Sequence, residues 1–122
     1  MYKILVIDDE EQIRKMFSLI LENEGYEVDT AEDGKIGCRM FGNKKYDLLI
    51  TDIVMPEKEG IETIIELKRD YPELKIIVIS GGGRISPKSY LNLAKGLGAD
   101  KTFEKPVQRK DIIEAVRELL SV

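Results

Sequence analysis

The chain has no histidine and no tryptophan, and Cys38 is its only cysteine. Without histidine it lacks the commonest general base near neutrality and the commonest transition-metal ligand. One thiol excludes an intrachain disulfide and makes a thiolate zinc site untenable, so any metal here is expected to be a hard cation held by oxygen. No apolar run approaches the ~20 residues of a membrane span, and Met1-Tyr2-Lys3 leads directly into a strand-like run rather than a signal peptide, so a cytoplasmic location and no membrane partner are expected. Basic surplus is also missing: 19 Lys and Arg stand against 23 Asp and Glu, a net charge of −4. Direct binding to nucleic acid is therefore not expected, because a phosphate backbone selects a basic face. The basic residues near the end, from Lys95 to Lys110, are interleaved with Asp100, Glu104 and Asp111, as on a mixed solvated surface.

What is present suits one soluble domain over residues 1–122. At 122 residues such a chain can bury about two-thirds of its unfolded surface. Asp47-Leu48-Leu49-Ile50-Thr51-Asp52-Ile53-Val54-Met55-Pro56 organises the rest. An almost unbroken apolar run reads as a strand covered on both faces, as in a parallel sheet between helices. Asp52 then emerges at its carboxyl end, where open α/β sheets place their ligands.

Taken in order, Lys3 to Ile7 is a first strand that ends in Asp8-Asp9-Glu10-Glu11. Ile13, Met16, Phe17, Ile20 and Leu21 form one stripe of a helix, which Gly25 stops. Glu27 to Ala31 is a second strand, polar enough for a sheet edge, and Gly34 to Phe41 a modest helix that ends at Gly42-Asn43. After the central strand, Glu59 to Asp70 is a helix closed by Tyr71-Pro72, and Lys75 to Ser80 a fourth buried strand. Ser86-Pro87 opens a helix through about Leu97. Ala99 to Glu104 is a short fifth strand, and Ile112, Ile113, Val116, Leu119 and Leu120 stripe a closing helix. Alternating strands and helices predict a three-layer, flavodoxin-like (βα)5 fold with parallel strand order 2-1-3-4-5.

In that fold four strands deliver Asp8 and Asp9, Asp52, Ser80 and Lys105 to one edge. Three crowded carboxylates repel unless neutralised, and a divalent oxygen-seeking cation such as Mg²⁺ does that. Asp52 can attack phosphorus, Lys105 can pair with a phosphoryl group and Ser80 can donate to it. Any one of these residues alone reads as a solvated loop or an ordinary turn; their joint placement points to phosphoryl chemistry. Cys38 reads as an inert filler of the second helix.

Asp8-Asp9, Asp52 followed by Met55-Pro56 and Gly60, Ser80, Gly98-Ala99-Asp100 and Lys105-Pro106 together resemble the receiver domain of two-component response regulators, over essentially the whole chain. The resemblance implies that Asp52 is the phosphoacceptor and that Asp9, Asp52 and the Val54 backbone carbonyl bind Mg²⁺, with Asp8 acting through water. It implies that Ser80 and Lys105 engage the phosphoryl group and that the Lys105-Pro106 bond is cis. The partners implied are a sensor histidine kinase or phosphotransfer protein, and a downstream protein on the face of the fourth helix, fifth strand and fifth helix. The chain would be a monomer or a phosphorylation-dependent homodimer, and no enzyme beyond Mg-dependent self-phosphorylation and autodephosphorylation.

Three features depart from the family pattern. Thr102 stands where an aromatic is usual, with Phe103 one position later on the opposite face. The segment from Ser80 to Lys105 is longer by roughly three residues, assigned to the loop Gly81-Gly82-Gly83-Arg84-Ile85. Switching is accordingly expected through that loop rather than through an aromatic flip. Val54 and Gly82 flank the phosphorylation site with side chains that cannot position a water, so a slow loss of phosphate is expected. The alternatives are a phosphorelay shuttle or a receiver module of a larger assembly and, in another class, a Mg-dependent aspartyl-phosphate phosphatase. That phosphatase chemistry needs a second acid two residues after the nucleophile, where Val54 stands. A flavodoxin-like cofactor binder would want a phosphate-cradling loop after the first strand, where Asp8 to Glu11 stand.

Overall fold

The computed structural model describes residues 1–53, 59–80, 92 and 95–120. In chain order they form β1 (Lys3–Ile7), α1 (Glu11–Asn23), β2 (Glu27–Ala31), α2 (Gly34–Asn43), β3 (Leu48–Asp52), α3 (Glu59–Asp70), β4 (Lys75–Ser80), β5 (Lys101–Glu104) and α4 (Arg109–Leu120). All strands are parallel, in the order β2-β1-β3-β4-β5. This is the order read from the sequence, with the polar β2 at an edge.

Strand alternation builds two cores from one sheet. Leu5, Ile7, Leu49, Ile76 and Val78 face α2 and α3, where they meet Phe41, Ile64 and Leu67. Ile4, Val6, Leu48, Ile50, Ile77 and Ile79 point the other way, onto Phe17 and Leu21 of α1 and Ile112 and Val116 of α4. Every residue of β3 is buried, as its apolar run requires. Burying a Phe17 or a Leu21 fully contributes about 1.5–3 kcal/mol each, which is what clamps α1 to the sheet.

Two differences from the sequence reading have local causes. The second helix runs on to Asn43, two residues past Phe41, because Gly42 sits in open space on the helix and does not break it. Strand five starts at Lys101, because Asp100 turns its carboxylate back to accept from the Ile76 amide at 2.8 Å while its own amide bonds the Ile76 carbonyl. Four helices lie among the described residues; of the helix expected over 86–97 only Asn92 and residues 95–97 are described. The glycine loop from 81 to 85 and the Val54 carbonyl lie outside the described residues altogether.

Candidate functional site

The strand register brings the acids, the hydroxyl and the lysine together. Ile7 pairs with Thr51, Asp52 with Ile79 and Ser80 with Glu104. Asp8, Asp52, Ser80 and Lys105 therefore lie within two residues of a common level at the carboxyl edge. Two backbone bonds continue the ladder past the strands, from the Ile53 amide to the Ile79 carbonyl at 3.0 Å and from the Lys105 amide to the Ser80 carbonyl at 2.9 Å. They carry Asp52 and Lys105 toward each other across β4, and the Lys105–Pro106 bond is cis.

Lys105 Nζ is the hub. It donates to Asp52 Oδ2 at 2.8 Å and lies 3.1 Å from Asp8 Oδ2 and 3.7 Å from Glu10 Oε1. Both aspartates are almost fully buried, at 2% exposure for Asp8 and 5% for Asp52, and removing two carboxylates from water needs such a partner. Burial by itself would lower the Lys105 pKa, but the hydrogen bond and charge of Asp52, followed by those of Asp8, raise it. Burial pushes the Asp8 carboxyl up, helped by the charge of Asp52. The Glu10 amide and the Lys105 cation oppose that without cancelling it.

Ser80 differs from its neighbours in kind. It is fully buried and its Oγ has no hydrogen-bond partner among the described residues. A buried hydroxyl without a partner costs about 1–3 kcal/mol, so an acceptor brought to the site has a donor waiting for it.

Asp8, Asp9 and Glu10 can bring one carboxylate oxygen each to within 4.8 Å of one another. An all-oxygen anionic set of this kind suits Mg²⁺ rather than a soft metal. The turn that carries the acids is fixed locally: Asp8 Oδ1 accepts from the Glu10 amide at 2.9 Å, and the Asp8 amide bonds the Ala31 carbonyl at 3.1 Å. On the far side of Asp52, Gly60 is required by proximity, since a Cβ there would meet the Ile53 carbonyl oxygen at 2.3 Å.

These features are those of a family. A model described as the response regulator receiver domain matches residues 4–117. The chain belongs to the response regulator receiver family. It is 34% identical over 122 residues to the chemotaxis protein CheY of Treponema pallidum, covering 98% of this chain and 83% of that one. A receiver domain structure from Clostridium thermocellum superimposes with a TM-score of 0.89 at 34% identity, covering 98% and 94% of the two chains. The response regulator TrrA of Thermotoga maritima, solved in complex with Mg²⁺–BeF, gives 0.85 at 36% identity, covering 98% and 100%. Of other curated relatives this chain spans a part: 26% of the transcriptional regulatory protein GlrR and 50% of CpxR, both from Escherichia coli. The receiver is thus a module of two-component signalling, and neither the phosphatase nor the cofactor-binder reading is favoured.

Of the residues singled out in the sequence, Asp8, Asp52, Ser80 and Lys105 converge in this receiver, and Asp9 stands beside them. Val54 lies outside the described residues. Phe103 packs on the α1–α4 side of the sheet, as alternation predicted, while Thr102 is half-buried. Two residues were not singled out. Glu10 directly follows the acid pair, and its reach to Lys105 depends on the turn. Arg14 donates from Nη1 to the Asp8 carbonyl at 2.8 Å; its spacing, one helical turn beyond Glu10, was the available signal.

Among the described residues no helix is long and apolar enough to cross a membrane.

Proposed function

We propose that this receiver accepts a phosphoryl group on Asp52 from a histidine kinase or phosphotransfer protein, and that the phosphorylated form changes its affinity for a downstream protein. The observation that carries this reading is the pairing of Lys105 Nζ with a buried Asp52, beside a buried Ser80 hydroxyl that has no partner among the described residues. A phosphoryl group on Asp52 would give both donors an acceptor at once.

In the reaction an Asp52 carboxylate oxygen attacks phosphorus, the new P–O bond forms, and the bond from phosphorus to the donor's imidazole nitrogen breaks with the electron pair leaving on that nitrogen. Lys105 follows the charge from the carboxylate to the phosphoryl oxygens, a stabilisation that is preorganised because its Nζ already sits there. Ser80 donates to another of those oxygens. Asp8, Asp9 and Asp52 would hold Mg²⁺. When bound, Mg²⁺ would neutralise charge on the transferring oxygens and the repulsion among the acids. Support for the ion comes from the oxygen-only donor set and from the Mg²⁺–BeF complex of the TrrA relative. On this reading the chain performs its own phosphorylation and slow dephosphorylation and turns over no other substrate. The partner surface proposed is the side of β5 and α4.

Incubating the purified chain with acetyl phosphate, with and without Mg²⁺, and weighing it intact tests the proposal. One phosphate adduct that requires Mg²⁺ and disappears in Asp52→Asn is expected. An undiminished adduct in that variant would overturn the assignment.

A further inference from the structure

Arg14 stands at the fourth position of α1, close to the positive end of the helix dipole, where a cation gains nothing from the helix. Its guanidinium instead reaches back six residues to the carbonyl of Asp8. That carbonyl belongs to the peptide joining Asp8 to Asp9, so one bond governs the orientation of both acids. Asp8 has two further anchors, its amide on Ala31 and its Oδ1 under the Glu10 amide. Asp9 is exposed, and the peptide before it is the anchor that these bonds supply.

We propose that Arg14 is a positioning residue for the cation site: by holding the Asp8–Asp9 peptide it sets the directions in which the two carboxylates leave the chain. The inference rests on the reading of Asp8 and Asp9 as a Mg²⁺ site. It makes a prediction whose sign is opposite to that of simple electrostatics. A positive charge next to a cation site repels the cation, so removing it should tighten binding. Removing a group that orients the ligands should weaken it, on the scale of about tenfold or more seen when outer partners of a ligand set are lost.

Lys15 supplies the control. It is the next residue, carries the same charge, is exposed, and among the described residues pairs with Glu11 alone, at 3.4 Å. Wild type, Arg14→Gln, Arg14→Lys and Lys15→Gln are titrated with Mg²⁺ alone, and the amide resonances of residues 8–10 are followed by NMR. Thermal unfolding without Mg²⁺ establishes that each variant is folded. Expected is a loss of affinity of about tenfold in Arg14→Gln, a smaller loss in Arg14→Lys, which keeps a donor, and equal or tighter binding in Lys15→Gln. The metal-free spectrum of Arg14→Gln should also shift at Asp9 and Glu10 while the core resonances stay in place. If Arg14→Gln binds as tightly as wild type, or more tightly like Lys15→Gln, the positioning role is overturned and the Mg²⁺ site stands. If wild type itself does not bind Mg²⁺, the reading of the site falls and the inference falls with it.

Discussion

Lys105 and Lys44 hold an aspartate at nearly the same distance, 2.8 Å for Asp52 and 2.9 Å for Asp29. Their surroundings differ in every respect that matters for chemistry. Asp29 lies on the edge strand β2, about one-third exposed, and shares its Oδ2 with the Tyr46 hydroxyl at 2.6 Å. Lys44 is balanced by Asp29 and by Glu27 at 3.4 Å, itself near Lys3 at 3.9 Å. Charge is matched and the phenol has its acceptor. At the carboxyl edge two buried carboxylates and Glu10 converge on one cation, and the Ser80 hydroxyl has no partner among the described residues. An ion pair alone does not make a site. Surplus negative charge and an unmatched donor, held in place by buried strands, leave work for a ligand to do.

Replacing the two lysines gives the widest separation of the two clusters. Lys105→Met should slow labelling by acetyl phosphate by about 10²-fold or more, the usual cost of removing a preorganised donor. Lys44→Met should label at the wild-type rate. Equal rates in both variants, measured by intact mass against time, would erase the distinction.

Backbone proximity is the next largest contrast. Gly60→Ala forces a Cβ against the Ile53 carbonyl and should lower stability by about 1–3 kcal/mol in urea unfolding. Gly42, beside the Lys44 cluster, has nothing within 4 Å of a built Cβ. Since it is helical, Gly42→Ala should raise stability by up to about 1 kcal/mol.

Tyr46→Phe removes a hydrogen bond, to Asp29, that lies away from the Asp52 cluster. A loss of about 1 kcal/mol with unchanged labelling is expected, and a labelling defect would show that the two ends of the molecule communicate. The smallest effect is in the pH dependence. Burial pushes the Asp29 carboxyl up, but the Tyr46 hydroxyl and Lys44 outweigh it and hold the pKa below its ordinary 3.8. The stability Asp29 contributes is therefore present above pH 3.8 and is lost as pH falls through the lower folded value. Unfolding midpoints across that range should slope less in Asp29→Asn than in wild type. Tyr46, whose pKa is raised by burial and by the Asp29 charge, acts at the other limb. The neutral phenol is favoured in the fold, so its contribution is full below pH 10 and fades as pH rises beyond it.

The parallel sheet and its order were legible because strands alternate with helices along the chain and the central strands are apolar throughout, as in a doubly wound fold; which residues face α2 and α3 and which face α1 and α4 is seen in the structure. The site was legible for the same reason: the carboxyl ends of buried parallel strands are determined once the strands are. The length of α2 and the start of β5 were not. Gly42 reads as a stop only if nothing else holds the helix end, and Asp100 reads as a strand residue until its carboxylate is seen to close on Ile76.

By itself, then, the sequence determined the parallel sheet, its edge strand and the presence of Asp8, Asp9, Asp52, Ser80 and Lys105 at one edge, because apolar periodicity and strand direction depend on residues near in the chain. Tertiary structure alone decided that Lys105 bridges Asp52 and Asp8, that Glu10 joins them, that the Ser80 hydroxyl is buried without a partner among the described residues, and that Arg14 holds the Asp8–Asp9 peptide. Those are contacts between side chains whose directions depend on register, on turn geometry and on the loss of solvent, and local spacing along a chain contains none of the three.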